Sequence, residues 1–196
     1  ADVGRPLCGV GGELLASLTG KIDAIVNVAG VVDFNPPLDE ALSANAFGVR
    51  NLVELARALG DVAVLHTSTC FVAGYRNGQI DEVTPETIPF PKHGQLDAAH
   101  WDPSREIAEC LDIIEQAKHR ANDAFRQSHF LAQAKENLVR KSEPARGSAL
   151  EDELARVKRK FIDETLIKAG TERALYWGWP NVYTYTKSIG EQMLAS

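Results

Sequence analysis

Two short β-branched runs with one amphipathic stretch between them constrain this chain more than any other feature. The first, Ile22-Asp-Ala-Ile-Val-Asn-Val-Ala-Gly-Val-Val32, closes on Ala29-Gly30. The second runs from Val62 to Leu65 and is followed by the polar tip His66-Thr-Ser-Thr69. From Asp39 to about Leu59, Leu42, Ala46, Val49, Val53 and Ala56 recur at spacings of three and four, which puts them on one helical face. Pro36-Pro37 precede that stretch and Gly60 stops it. Short apolar runs of this kind suit buried strands of a parallel sheet. Strand, helix, strand with short joints is a crossover unit, and a crossover makes its two strands parallel. The expected fold class is α/β, with a Rossmann-like parallel sheet.

The remainder reads as helix and loop. Residues 77–103 are rich in Pro, Gly, Asp and His and read as loop. Ser104 to about Lys141 reads as one long helix or a broken pair, with an apolar stripe through Ile107, Leu111, Ile114, Ala121 and Phe125. After the break at residues 142–148, a further helix is expected from about Ala149 to Lys168, with Gly170 ending it. This is a helical hairpin inserted into the α/β unit. The expected division is a partial dinucleotide-binding part at 1–100, the hairpin at 101–176 and a return to the α/β part at 177–196. Gly9-Val-Gly11-Gly12 is not preceded by an apolar strand and reads as loop, so the first strands and the glycine-rich dinucleotide loop of such a sheet are missing. The chain begins at Ala1 without a methionine and ends within a helical pattern, so it reads as a piece of a longer protein.

A formal charge of −6 argues against nucleic acid as a partner. The best apolar run, Ala24 to Val32, is interrupted by Asn27 and is too short to span a bilayer. Cys8, Cys70 and Cys110 have no metal-ligand spacing and are expected to be buried, inert thiols, which places the protein in a reducing cytoplasm and predicts no metal.

Five polar groups are candidates for chemistry, which in an open α/β sheet is expected at or beyond the carboxyl ends of strands. Tyr183 and Lys187 are four residues apart on an expected helix, so a phenol and an ammonium share one face. A phenol beside a fixed cation ionises more easily and can trade a proton with a substrate oxygen. Ser68 and Thr69 close the second strand, where a hydroxyl can hold a carbonyl oxygen, although such a pair often only makes a turn. Asn45 lies within a helix, where it either points inward to a water or to Lys187, or is solvated.

The ordered set Asp2-Val3, Asn27-Val-Ala-Gly30, Asn45-Ala-Phe-Gly-Val-Arg-Asn51, Thr67-Ser-Thr69 and Tyr183-x-x-x-Lys187 resembles the extended short-chain dehydrogenase/reductase superfamily. Within it, Val32-Asp-Phe-Asn-Pro-Pro-Leu38, the Ser68-Thr69 tip and Trp179-Pro-Asn-Val-Tyr-Thr-Tyr-Thr-Lys-Ser188 resemble the fatty acyl-CoA reductase branch, with its male sterility type of domain. The resemblance covers about residues 1–100 and 177–196. It implies that Tyr183 protonates the substrate oxygen and that Lys187 lowers the tyrosine pKa and bonds the nicotinamide ribose. It also implies that Thr69, with Ser68 as alternate, binds the same oxygen, and that Asn45 completes a proton relay. Ala29 and Gly30 would line the cofactor, with Asp2 and Val3 by the adenine.

The implied reaction is reduction of a long-chain acyl thioester, on CoA or a carrier protein, to aldehyde or alcohol. NADPH is the implied cofactor, with NADH open. Peripheral membrane contact and the oligomeric state are open as well. Rival readings are a sugar-nucleotide epimerase or dehydratase, a carboxylic acid reductase terminal domain, and a non-catalytic nucleotide-binding scaffold. The hairpin is either a lid over the acyl chain or a packed excursion. Its basic set Arg140, Lys141, Arg156, Lys158, Arg159 and Lys160 either meets phosphates or forms a solvated face.

Overall fold

The computed structural model describes residues 1–85, 87–97 and 101–195. Its sheet has two parallel strands, β1 (Ala24–Asn27) and β2 (Ala63–His66), in register Ala24 to Ala63 through Asn27 to His66. Before them come a 3-10 turn at Pro6–Gly9 and a short helix α1 (Gly12–Leu18), the one ending and the other beginning within the Gly9–Gly12 segment that reads as loop in the sequence. The crossover is α2 (Leu38–Leu42), a π-turn at Ser43–Phe47, and α3 (Gly48–Ala58). The expected α/β fold with a parallel crossover is therefore present.

β1 is shorter than its apolar run, β2 is shifted one residue along from its own, and both strands are covered on one face only. Leu52, Leu55 and Leu59 of the crossover pack with Ile25 and Val64. Val26 and Leu65, the alternate residues, face solvent at 62% and 63% exposure. The expectation of strands buried on both faces is corrected here: the described residues put a helix layer on one side.

The hairpin is the broken pair α4 (Pro103–Ala121) and α5 (Ala124–Arg140), both packed along one helix, α6 (Gly147–Trp177). Pro103 opens α4 at the position where its missing N–H is harmless, and the Asp102 carboxylate caps it by accepting from Arg105 N at 2.7 Å. Asp123 caps α5 in the same way, accepting from Phe125 N at 2.8 Å. α6 does not stop at Gly170. A Cβ there would stand 3.0 Å from Val182 Cγ2, so the glycine serves close packing within a continuing helix. The stop is Gly178, whose φ of 105° is left-handed and which sits tightly against Pro91.

The last helix, α7 (Val182–Ala195), lies at the centre. Its Val182, Tyr185 and Ile189 share one core with Leu38, Leu42 and Ala46 of the crossover, Cys110 and Ile114 of α4, Leu166 of α6, and the indoles of Trp177 and Trp179. Each of the valine, leucine and isoleucine side chains contributes roughly 1.5–3 kcal/mol on burial. Ile107, Ile114 and Ala121 of the expected hairpin stripe are spent on packing, whereas Leu111 and Phe125 are exposed, and the α4 face that packs runs instead through Cys110, Ile114, Ala117 and Ala121. Residues 77–103 contain no helix or strand before Pro103 among those described, as expected. Their Phe90 is buried, and Gln192 of α7 pins them by donating to Pro89 O at 2.8 Å and accepting from Trp101 Nε1 at 2.6 Å.

Cys8 and Cys110 are buried and Cys70 is exposed, on the 3-10 turn after β2, so the expectation of three buried thiols fails at Cys70. The basic set on α5 and α6 is mostly paired locally, for example Arg159 with Asp163 at 2.7 Å and Lys141 with Glu153 at 2.9 Å, which is the solvated, interleaved face. No described helix is long and apolar enough to cross a membrane.

Candidate active site

α7 begins where its sequence says it should. Asn181 caps it, with Oδ1 accepting from Thr184 N at 2.9 Å. The Tyr183 amide, which has no partner within the helix, donates to Phe34 O at 3.2 Å, and the two rings meet edge-on at 6.2 Å. The segment after β1 thereby fixes the first turn of α7. The Tyr183 side chain is left half-buried.

One turn on, Lys187 is buried, and its Nζ donates to Thr67 O at 2.9 Å. Burial disfavours its ammonium and lowers its pKa, while Glu191, a further turn along, opposes that shift. The main chain after β1 comes up to the same spot. A Cβ on Gly30 would stand 3.0 Å from Asn45 Oδ1 and 3.6 Å from Lys187 Nζ. Asn45 is fully buried on the π-turn, accepting from Val31 N at 3.2 Å and donating from Nδ2 to Thr186 Oγ1 at 3.1 Å. Its side chain therefore points inward, to the Gly30 loop and to α7. A π-turn inside a helix is a frequent mark of a functional position. Here Gly190 of α7 packs directly on the Asn45 carbonyl, where no Cβ could fit.

The tip of β2 supplies the third side. Thr69 Oγ1 accepts from Phe71 N at 3.3 Å and so caps the 3-10 turn Cys70–Ala73. Accepting through a lone pair leaves the Thr69 O–H free to donate. Ser68 differs: its hydroxyl is buried, has no aligned hydrogen-bond partner and lies beside Glu191. His66 accepts from Asn27 Nδ2 at 2.8 Å through Nδ1, and Asn27 Oδ1 is fixed by Ala29 N at 3.0 Å. The imidazole proton must then sit on Nε2, which is buried without a partner. Burial and the nearby Lys187 charge lower the His66 pKa to about 4.

Asp2 and Val3 lie on another side of the π-turn. Val3 packs on Gly48 and its carbonyl accepts from Asn51 Nδ2 at 2.8 Å, while Asp2 accepts from Gly4 N at 3.0 Å. The residues brought together are Gly30, Asn45, Thr67, Ser68 and Lys187, with Tyr183 one turn before Lys187 and Thr69 next to Ser68. His66, Thr186 and Glu191 join them without having been singled out from sequence. Glu191 had a signal, since it repeats the four-residue spacing that relates Tyr183 to Lys187.

The motif contains a second tyrosine, and its environment is different. The Tyr185 hydroxyl donates to Glu106 Oε1 and meets Cys110 Sγ at 3.2 Å. Burial first, then Cys110 and Glu106, push its pKa well above the usual value. Glu106 also accepts from Arg173 Nε at 2.6 Å and Trp177 Nε1 at 2.9 Å. A phenol sealed in this way cannot meet a substrate oxygen; of the two tyrosines in this motif, Tyr183 is the one with exposed surface.

A nicotinamide cofactor fits these residues at one end. Val28, Ala29 and Gly30 are exposed main chain beside an ammonium and an amide, a setting suited to ribose hydroxyls and a carboxamide. The pyrophosphate end has no counterpart in Gly9, Gly11 and Gly12, which follow a 3-10 turn and lead into a helix of only seven residues.

The chain is 29% identical over 192 residues to an alcohol-forming fatty acyl-CoA reductase of Simmondsia chinensis, covering 97% of this chain and 31% of that protein. It is 27% identical over 187 residues to a probable fatty acyl-CoA reductase 4 of Arabidopsis thaliana, covering 95% of this chain and 30% of that protein. A putative fatty acyl-CoA reductase of Drosophila melanogaster matches at 32% over 82 residues, covering 41% of this chain and 15% of that protein. The chain thus spans about a third of the length of the plant relatives. The model of the NAD-binding domain of male sterility proteins matches residues 1–196, the whole chain, and the chain belongs to that family.

Proposed function

We propose that the protein carrying this chain reduces long-chain fatty acyl thioesters, with Tyr183 as proton donor and NADPH as cofactor. The observation that carries the reading is the convergence of Lys187, Asn45 and the Gly30 main chain on one spot, with a half-buried phenol one helical turn away. When bound, the cofactor supplies the hydride to the carbonyl carbon. Lys187, held by Thr67 O, would meet the ribose, and Ala29-Gly30 would line the ring.

As charge builds on the carbonyl oxygen, the Thr69 O–H donates to it and Tyr183 gives up its proton to it. The Lys187 ammonium stabilises the phenolate left behind. The tetrahedral product then loses its thiol and leaves an aldehyde. A second hydride and a second proton would carry it to the alcohol. Asn45, tied to Val31 N and Thr186, anchors the far side of the relay. Three free cysteines suit a reducing cytoplasm, with the acyl substrate met at a membrane surface.

The test is Tyr183→Phe in the full-length protein. Acyl-CoA-dependent NADPH oxidation is expected to fall by at least about 100-fold, the lower end for loss of a general acid. Activity within a few-fold of the parent would remove the proton-donor role, and faster turnover with NADH would correct the cofactor.

A further inference from the structure

Tyr183, Lys187 and Glu191 succeed one another at four-residue spacing along α7, so they share one face. Opposite that face stands the tip of β2. Thr67 gives its carbonyl to Lys187 Nζ at 2.9 Å, and the next residue, Ser68, buries a hydroxyl with no aligned partner. A buried hydroxyl in that state costs stability unless a polar group stands near it. The group beside it is the Glu191 carboxyl, half-buried on α7.

Burial works against ionisation of Glu191, and Ser68 and Lys187 are the groups that favour its carboxylate. The influence is mutual, since Glu191 is the charge that opposes the loss of the Lys187 proton. Among the described residues, the other groups around this lysine carry no charge. They are the Thr67 carbonyl, the Asn45 amide and His66, whose pKa lies near 4.

We infer that Glu191 is a positioning residue for Lys187: standing beside the buried Ser68 hydroxyl of the β2 tip, it supplies the counter-charge that keeps the ammonium on the Thr67 carbonyl. The inference rests on the reductase reading for the purpose Lys187 serves. It makes the working unit four residues long on α7 and β2, with the acid placed on the far side of the lysine from the phenol.

The test compares Glu191→Gln and Glu191→Asp in the full-length protein by the pH dependence of kcat for acyl-CoA-dependent NADPH oxidation. Glutamine keeps the shape and removes the charge. Both the ammonium and the phenol then lose their protons at lower pH, so the alkaline limb is expected to move acidward by roughly half a unit to one unit. Aspartate keeps the charge and should restore most of that shift. An alkaline limb that stays in place in folded Glu191→Gln overturns the inference, even if the melting temperature falls, because that pattern marks a structural role alone. If Glu191→Gln does not fold, Ser68→Ala is read instead. Losing the hydroxyl that favours the carboxylate moves the acidic limb to higher pH, and an unmoved acidic limb overturns the inference. Tyr183→Phe is measured in parallel. If it stays active the reductase reading fails, whereas if it is inactive and the Glu191→Gln limb has not moved, only the role of Glu191 fails.

Discussion

Tyr183 and Tyr185 lie two residues apart on one helix, yet the structure gives them opposite surroundings. Tyr183 is half-buried, with its ring against Phe34 and with Lys187 and Glu191 following on its own side. Tyr185 has no exposed surface and is locked to Glu106, which is held in turn by Arg173 and Trp177. One side of α7 is arranged around groups that can exchange protons, and the other around a carboxylate whose lone pairs are already taken. The difference shows that residue type does not assign the chemistry. The hairpin helices do so, by closing one face of α7 and leaving the other to the sheet.

The closed side should break hardest. Glu106→Ala removes the acceptor of four donors and leaves the Arg173 guanidinium without its inner partner. It is expected to cost about 3–5 kcal/mol, the usual penalty for breaking a buried ion pair from one side. Urea unfolding of the full-length protein reads this directly. A loss under about 1 kcal/mol would mean that the cluster behaves like a surface pair and that the contrast between the two sides is overdrawn.

The tyrosines themselves give the sharper comparison. Tyr185→Phe leaves Glu106 short of one donor and should cost about 1–3 kcal/mol of stability. Its kcat should stay within about threefold of the parent, because the phenol touches no reacting atom; a threefold change is well under 1 kcal/mol of barrier. Tyr183→Phe should do the reverse, losing turnover while unfolding at nearly the parent's midpoint. Equal losses of activity in both variants would mean that α7 works as one unit and that the division between its sides carries no function.

Much of this was legible in the sequence, and for a common reason. The crossover, the stripe of α3 and the Tyr183/Lys187 face are periodic patterns within a few residues, and local periodicity is what one sequence displays. Element ends were less so. Gly170 carries the usual sign of a helix end, but its lack of a side chain is used to seat Val182 against α6. The π-turn announces itself only through Asn45, a poor residue for a helix interior, and its inward direction became visible once Gly30 and Thr186 were beside it. The Glu106–Tyr185 bond joins residues 79 apart, and no spacing rule reaches that far. His66 read as one polar residue of a strand tip, because what isolates it is burial between Asn27 and Lys187.

That histidine gives the smallest effect and probes the open side alone. Its pKa in the folded protein is about 4, against roughly 6.5 in an unfolded chain, so the unfolded state takes up the proton first as pH falls. His66 therefore contributes stability that is fully present above about pH 6.5 and is lost as pH falls toward 4. Protonation adds a cation beside the Lys187 ammonium and ends the ability of Nδ1 to accept from Asn27. The loss is expected to be on the order of 2 kcal/mol across that window, taking a unit of pKa as about 1.4 kcal/mol and allowing for partial solvent access. His66→Asn places an acceptor near the position of Nδ1 and cannot titrate, so urea midpoints of parent and variant should diverge between pH 7 and pH 4, with the parent falling faster. If the two fall in parallel, acid sensitivity belongs to the carboxylates elsewhere, and the strand-tip side of α7 is no more sensitive to acid than the side closed by Glu106.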